Sequence, residues 1–283
     1  MLDRREFLKR CYKIGGIAAI IGMGLGAVED AMGWGIMPAV VGSGSLSPWA
    51  TWDEVTESGW GDSDNAFICL FEGGASANEI GQGVGISEVN RTLTQVGSIA
   101  AATGSPPTRY LDGANDCFSV TSAFCDALFM SDTWTVIIKA YTYTTGAGFA
   151  FNIVGDHAGT SNEWISISKS AADKITINVQ ENGSTESATT VNALPTTGTY
   201  YLAIWADGIN PVRGGFSATK PLKWSQFGDN GAQLASLKGD SFAAGDFSDI
   251  GRKFFSYYNA TTPMECYAYY VIVSKTCLIN NAA

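Results

Sequence analysis

Short runs of alternating apolar and polar residues fill the chain from about residue 63 onward. Trp134, Val136, Ile138 and Ala140 alternate with Thr135, Ile137 and Lys139. Phe149, Phe151 and Ile153 alternate with Ala150, Asn152 and Val154. Ile165 and Ile167 alternate with Trp164, Ser166 and Ser168, and Ile175, Ile177 and Val179 with Thr176, Asn178 and Gln180. Tyr200, Leu202 and Ile204 alternate with Tyr201, Ala203 and Trp205. A period of two sends successive side chains to opposite faces of a strand, so one set builds a core and the other points away from it. Ala66–Phe71 and Cys266–Ser274 read as an opening and a closing strand. Turn dipeptides separate the runs: Thr145-Gly146, Gly155-Asp156, Asn182-Gly183 and Asp207-Gly208. No long run with a 3.6-residue period competes; Gln82–Val96 and Gly231–Leu237 each have room for one short helical turn. The pattern predicts an all-β protein, a jelly-roll sandwich of two antiparallel sheets. Its Ile, Val and Phe side chains, at roughly 1.5–3 kcal/mol each when buried, can offset ordering entropy without a cofactor.

The N-terminal segment has a different pattern. Arg4, Arg5, Lys9, Arg10 and Lys13 stand against Asp3 and Glu6, and Ile14–Val28 carries no charge. A basic region before a short apolar stretch reads as an export leader, and the stretch falls short of the ~20 residues of a spanning helix. Asp3-Arg4-Arg5-Glu6-Phe7-Leu8-Lys9 resembles the twin-arginine translocation motif. The resemblance implies that a folded protein is exported across a bacterial inner membrane to the periplasm, the cell surface or the medium. Ala31-Met32-Gly33 offers a small-x-small cleavage site beside Glu29 and Asp30, which leaves removal of the leader and a retained membrane anchor both open. The expected organisation is a leader with a short helix over residues 1–33, a tether over 34–62 and one β domain over 63–279. The tether holds Trp34, Trp49, Trp52 and Trp60 around Gly42-Ser43-Gly44-Ser45, so it is expected to pack on the domain, on a second copy in a homo-oligomer, or on a membrane face.

Composition narrows the partners. The 283 residues carry a net charge of −10 and 16% charged residues, with 12% aromatics. Apolar content is too high for a disordered chain. With no basic cluster beyond residue 13, nucleic acid is not an expected partner. Of the six cysteines, Cys11 lies in the leader; Cys117/Cys125 and Cys266/Cys277 are the local pairs that an oxidising compartment could close. The alternative is that most are small buried apolar residues. His157 is the sole histidine and no Cys-x-x-Cys occurs, so a zinc site is not expected.

A second resemblance runs through residues 63–279. Tyr110-Leu111-Asp112-Gly113-Ala114-Asn115-Asp116-Cys117-Phe118-Ser119-Val120 resembles a recurring segment of concanavalin A-like, laminin-G-type domains. Phe67–Gly73, Thr133–Val136, Tyr201–Gly208 and Ile250-Gly251-Arg252 follow in that family's order. The resemblance implies a lectin-like jelly roll that binds glycan or protein. The last strand, Met264-Glu265-Cys266-Tyr267, departs from the family's Asp-Glu-Val.

Candidate sites follow. Asp112, Asn115 and Asp116 offer oxygen ligands for calcium, although beside Gly113 the same residues form an Asx-type turn, the reading the spacing favours. Trp164, Trp205 and Tyr201 offer flat apolar faces, and Asn152, Asn178 and Gln180 paired donors and acceptors; a sugar needs both. The alternative is that Trp205 or Trp164 belongs to the core, or that these faces pack a neighbouring subunit. Glycan cleavage calls for two carboxylates flanking the bond, and no Glu-x-Asp-x-x-Glu run occurs; Asp240, Asp246 and Asp249 sit in a Gly/Ala/Ser-rich stretch. No Gly-x-Ser-x-Gly elbow accompanies His157. The sequence therefore points to an exported lectin-like sandwich that is not an enzyme and binds a surface glycan or protein without a required cofactor. A structural subunit of an envelope or extracellular assembly is the second reading and a divergent glycoside hydrolase the third.

Overall fold

The structure, a computed structural model, describes residues 65–280 apart from 75–77, 84–86, 105–106, 143–145, 155–162, 241, 244, 248–250 and 258–260. The expected leader helix, the tryptophan-bearing tether and His157 lie outside the described residues. Among the described residues, fifteen strands and one α-helix follow in chain order. They are β1 (Ala66–Leu70), β2 (Glu79–Ile80), β3 (Thr92–Val96), β4 (Arg109–Leu111), β5 (Cys117–Ser119), α1 (Ser122–Phe129), β6 (Thr133–Thr142), β7 (Gly148–Val154) and β8 (Trp164–Lys169). Then come β9 (Lys174–Glu181), β10 (Ser184–Ala193), β11 (Gly198–Asp207), β12 (Arg213–Ser217), β13 (Gly231–Gln233), β14 (Gly251–Phe254) and β15 (Cys266–Ser274). None of the described helices is long and apolar enough to cross a membrane.

The strands form two antiparallel sheets, as the alternating pattern predicts. The first runs β1-β15-β6-β11-β12-β13, with β4 also paired to β15. The second runs β10-β9-β8-β7-β14-β5-β3-β2. Between them lies one continuous apolar core. Trp134, Val136, Ile138, Leu202 and Ile204 enter it from the first sheet, and Phe151, Ile153, Ile165, Ile167, Ile177 and Phe254 from the second. The Trp134 indole N–H is satisfied by the Gly239 carbonyl at 2.7 Å. The Asn182-Gly183 turn joins β9 to β10 with both residues in the left-handed region, φ 50° and 77°. Such a turn matches the twist of the strands it connects.

Two local expectations change, and two elements were not foreseen. A β-bulge between Phe149 and Phe151 turns Phe149 away from the core that its spacing assigned to it, and Ala150 packs inward instead. Gly231–Leu237 opens as an edge strand rather than a helical turn, because Gly231–Gln233 pairs with Arg213–Gly215. Strand β10 was hidden by its polarity: Ser-Thr-Glu-Ser-Ala-Thr-Thr lies at a sheet edge and buries little. Helix α1 is too short to show a helical period, but Thr121 Oγ1 caps it by accepting from the Phe124 N–H at 3.2 Å, and Phe124, Cys125, Leu128 and Phe129 are buried.

Candidate functional site

Strand register lines up a row of polar side chains across the outer face of the second sheet. Ser187 stands opposite Asn178, Asn178 opposite Ser166, and Ser166 opposite Asn152. Asn152 stands opposite Lys253, Lys253 opposite Ser119, and Ser119 opposite Thr94. Adjacent strands lie about 4.8 Å apart, so neighbouring members of the row are within side-chain reach. The row exists because each member alternates with an inward residue: Phe151 and Ile153 flank Asn152, Ile165 and Ile167 flank Ser166, and Ile177 and Val179 flank Asn178.

Aromatic rings roof the middle of this row. Phe149 lies on one side of the Asn152–Ser166 pair in the register, and Trp164 on the other, opposite Val154. The Tyr257 ring touches both, 4.7 Å from Phe149 and 6.1 Å from Trp164 between centroids, and therefore spans the row. Beneath it Asn152 and Ser166 are both fully buried. Ser166 Oγ accepts from Asn178 Nδ2 at 3.0 Å. Asn152 Oδ1, Asn152 Nδ2 and Trp164 Nε1 have no hydrogen-bond partner. A buried polar group left unpaired costs about 1–3 kcal/mol, so three such atoms on neighbouring strands form a polar site held against the preference of the fold. Gln180 stands opposite Trp164 at its edge.

Charge on this face is one-sided. Lys253 and Lys174 occupy outward strand positions, and none of the outward strand positions among the described residues is Asp or Glu. The carboxylates nearby lie at the strand ends. Glu163 precedes β8 and Glu181 closes β9, one step beyond the Trp164–Gln180 pair, which makes them register neighbours. Both are buried. Glu163 Oε1 accepts from the Asn182 N–H at 2.9 Å, and Oε2 has no partner. Burial pushes the Glu163 carboxyl up; the Asn182 N–H opposes this, and Asp246 adds to it.

The structure brings four of the six proposed sugar-contacting residues to this face: Asn152, Trp164, Asn178 and Gln180. Trp205 and Tyr201 are not among them, which corrects the expectation. They lie on β11 in the first sheet, within a second apolar cluster on that sheet's far side. Trp205 packs on Phe227 at 5.1 Å and Trp224 at 5.7 Å, and Lys139 Nζ sits 5.2 Å from the Tyr201 ring centroid. Their flat faces are already occupied.

Asp112 and Asp116 spend their oxygens on backbone. Asp112 Oδ1 accepts from the Ala114 N–H at 2.8 Å, and Asp116 Oδ1 from the Ser98 N–H at 2.9 Å. The Asx turn is therefore formed, with Asn115 exposed beside it. No group of three or more His, Cys, Asp or Glu is gathered for a metal among the described residues. The expected cysteine pairs are not closed: Cys69, Cys117, Cys125, Cys266 and Cys277 are free thiols. Cys125 and Cys266 belong to the core between the sheets, whereas Cys277 packs against the far cluster. Cys117 precedes inward-facing Phe118 and so points to the outer face. Each pair is thus split across a sheet.

No family model matches the sequence, and no curated protein matches it. Solved structures do. A mutant of Trypanosoma rangeli sialidase displaying trans-sialidase activity aligns over 82% of this chain and 36% of its own, with 10% identity and a TM-score of 0.49. A Streptococcus pneumoniae sialidase aligns over 59% and 26%, with 10% identity and a TM-score of 0.43. The CBM40 of the Ruminococcus gnavus IT-sialidase, bound to α2,3-sialyllactose, aligns over 53% and 79%, with 13% identity and a TM-score of 0.37. The chain spans about a third of the length of the sialidases. The expectation that the chain is not an enzyme is withdrawn on these sialidase matches.

Sequence reasoning missed Ser166, Lys253, Tyr257, Glu163 and Glu181. Ser166 was visible as an outward position of its strand. The other four depend on which strands become neighbours, which no local pattern carries.

Proposed function

We propose that this chain recognises a glycan on the outer face of its second sheet, through the row centred on Asn152. The observation that carries the reading is the Asn152 amide, fully buried with both polar atoms unpartnered, under a roof made by Phe149, Tyr257 and Trp164. A carboxamide offers one acceptor and one donor, which suits two adjacent sugar hydroxyls. The aromatic rings suit the apolar C–H face of the same sugar. Trp164 Nε1 supplies a third polar contact. Admission of the sugar requires the Tyr257 side chain to rotate aside; it is the one member of the roof that no strand holds. The positions of the Tyr110–Val120 segment, as β4, turn and β5, support a concanavalin A-like sandwich, and the Arg4-Arg5 motif supports export.

A glycan array with wild-type protein and with Asn152→Ala tests the reading, with released reducing sugar assayed in the same samples to report cleavage. Wild type binds a defined set of glycans and Asn152→Ala loses them while melting at the same temperature or higher. An array without binding, or binding indifferent to Asn152, overturns the proposal.

A further inference from the structure

We infer that the glycan bound at the Asn152 row is anionic and that Lys253 reads its charge, an inference that rests on the reading above. Lys253 stands directly opposite Asn152 across the β7–β14 pair, with Ser119 on its other side. Neither neighbour is a carboxylate. Lys253 is only half-buried on the outer face and is absent from the ion pairs among the described residues, which join Arg109 to Glu79 and Lys169 to Asp173.

The setting makes this placement informative. The chain has 27 Asp and Glu against 17 Lys and Arg, yet the outward strand positions of this sheet hold lysine and no acid. A face that only had to stay wet in an acidic protein needs no such exclusion. A face that receives an anion does, because an Asp or Glu one strand away would repel the ligand and capture the lysine. The geometry fixes where the charge belongs. A sugar whose hydroxyls pair with the Asn152 amide has its neighbouring ring substituent one strand spacing away, about 4.8 Å, over β14. The flexible four-carbon stem of Lys253 delivers three donors to that position. A carboxylate or a sulfate on the sugar meets the same ammonium, and a neutral hydroxyl gains far less from it.

The experiment measures calorimetric affinity for three matched oligosaccharides: one neutral, one carrying a carboxylate and one carrying a sulfate at the same terminal ring. Wild type prefers at least one anionic form over the neutral one by about tenfold, the usual worth of a charge-assisted hydrogen bond. Lys253→Gln erases the preference, bringing the anionic and neutral affinities within about twofold of each other. Lys253→Arg keeps the preference, which separates charge from folding. Lys174→Gln, at the start of β9 and away from the row, leaves the preference intact. Equal affinity for neutral and anionic forms in wild type, or a preference that survives Lys253→Gln, overturns the inference while the glycan reading stands. Absence of binding to all three, alongside an empty array, overturns both.

Discussion

Arg109 Nε donates to Glu79 Oε1 at 2.5 Å, with both side chains almost wholly removed from water. The pair joins β4 of the first sheet to β2 at the edge of the second. Glu79 Oε1 also accepts from the Gly73 N–H at 3.0 Å, and Arg109 Nη1 donates to the Ala100 carbonyl at 3.2 Å. Removing one partner of a buried pair strands the other charge. Glu79→Ala is expected to cost about 3–5 kcal/mol in denaturant unfolding. The double replacement Glu79→Leu with Arg109→Met costs less than Glu79→Ala alone, because neither charge is then left buried.

Glu163 governs a pH dependence. Burial raises its carboxyl above the ordinary carboxylate range. An acid with a raised folded pKa holds its proton in the native state where the unfolded chain has lost it, so stability falls as pH climbs through that window. Glu163→Gln keeps the Oε1 acceptor for Asn182 and removes the titration. The variant melts higher than wild type at pH 7, and the difference disappears near pH 4, about the ordinary carboxylate value. Melting curves across that range check the sign.

The thiols differ in reactivity. Burial, partly offset by Arg252, pushes the Cys125 thiol far up, and burial likewise pushes up Cys266 and Cys69. Cys277, partly exposed, is pushed up to about 11 by burial. Thiolate is the reactive form. A thiol reagent on the native protein therefore modifies Cys277 before Cys69, Cys125 or Cys266, and peptide mapping reads the order. Full labelling of Cys69, Cys125 and Cys266 follows only on unfolding.

Thr121 closes the first turn of α1 with a bond that alanine lacks. Thr121→Ala should cost about 1 kcal/mol. Since α1 packs Phe124 against Phe67 at 4.8 Å and against Phe254 at 6.3 Å, the loss appears in global unfolding rather than in local fraying.

The sandwich was legible because alternation is a local property. Ile165, Ile167, Ile175, Ile177 and Val179 declared their inward faces from spacing alone, and the structure buries all five. Strand β10 escaped because an edge strand buries little, and α1 because eight residues cannot show a period. Trp205 shows a different failure. Alternation correctly sent it away from Leu202 and Ile204, but its face carries a second layer built from Trp224, Phe227 and Ile279. An outward position is exposed only where nothing later in the chain returns to cover it. The Asn152 site was half legible for the same reason. Asn152, Asn178 and Trp164 could be placed on outer faces one strand at a time, whereas Lys253 joins them only through the pairing of β14 with β7, about a hundred residues apart in sequence.

Titration of a glycan identified on the array, followed by NMR of side-chain amides and indoles in labelled protein, tests the central claim most directly. Asn152→Asp and Trp164→Phe identify the two decisive signals. The account predicts that the Asn152 amide and the Trp164 indole shift together and saturate with the ligand, while the Trp205 indole stays in place. Shifts confined to the Trp205 indole, with Asn152 and Trp164 silent at saturation, contradict it.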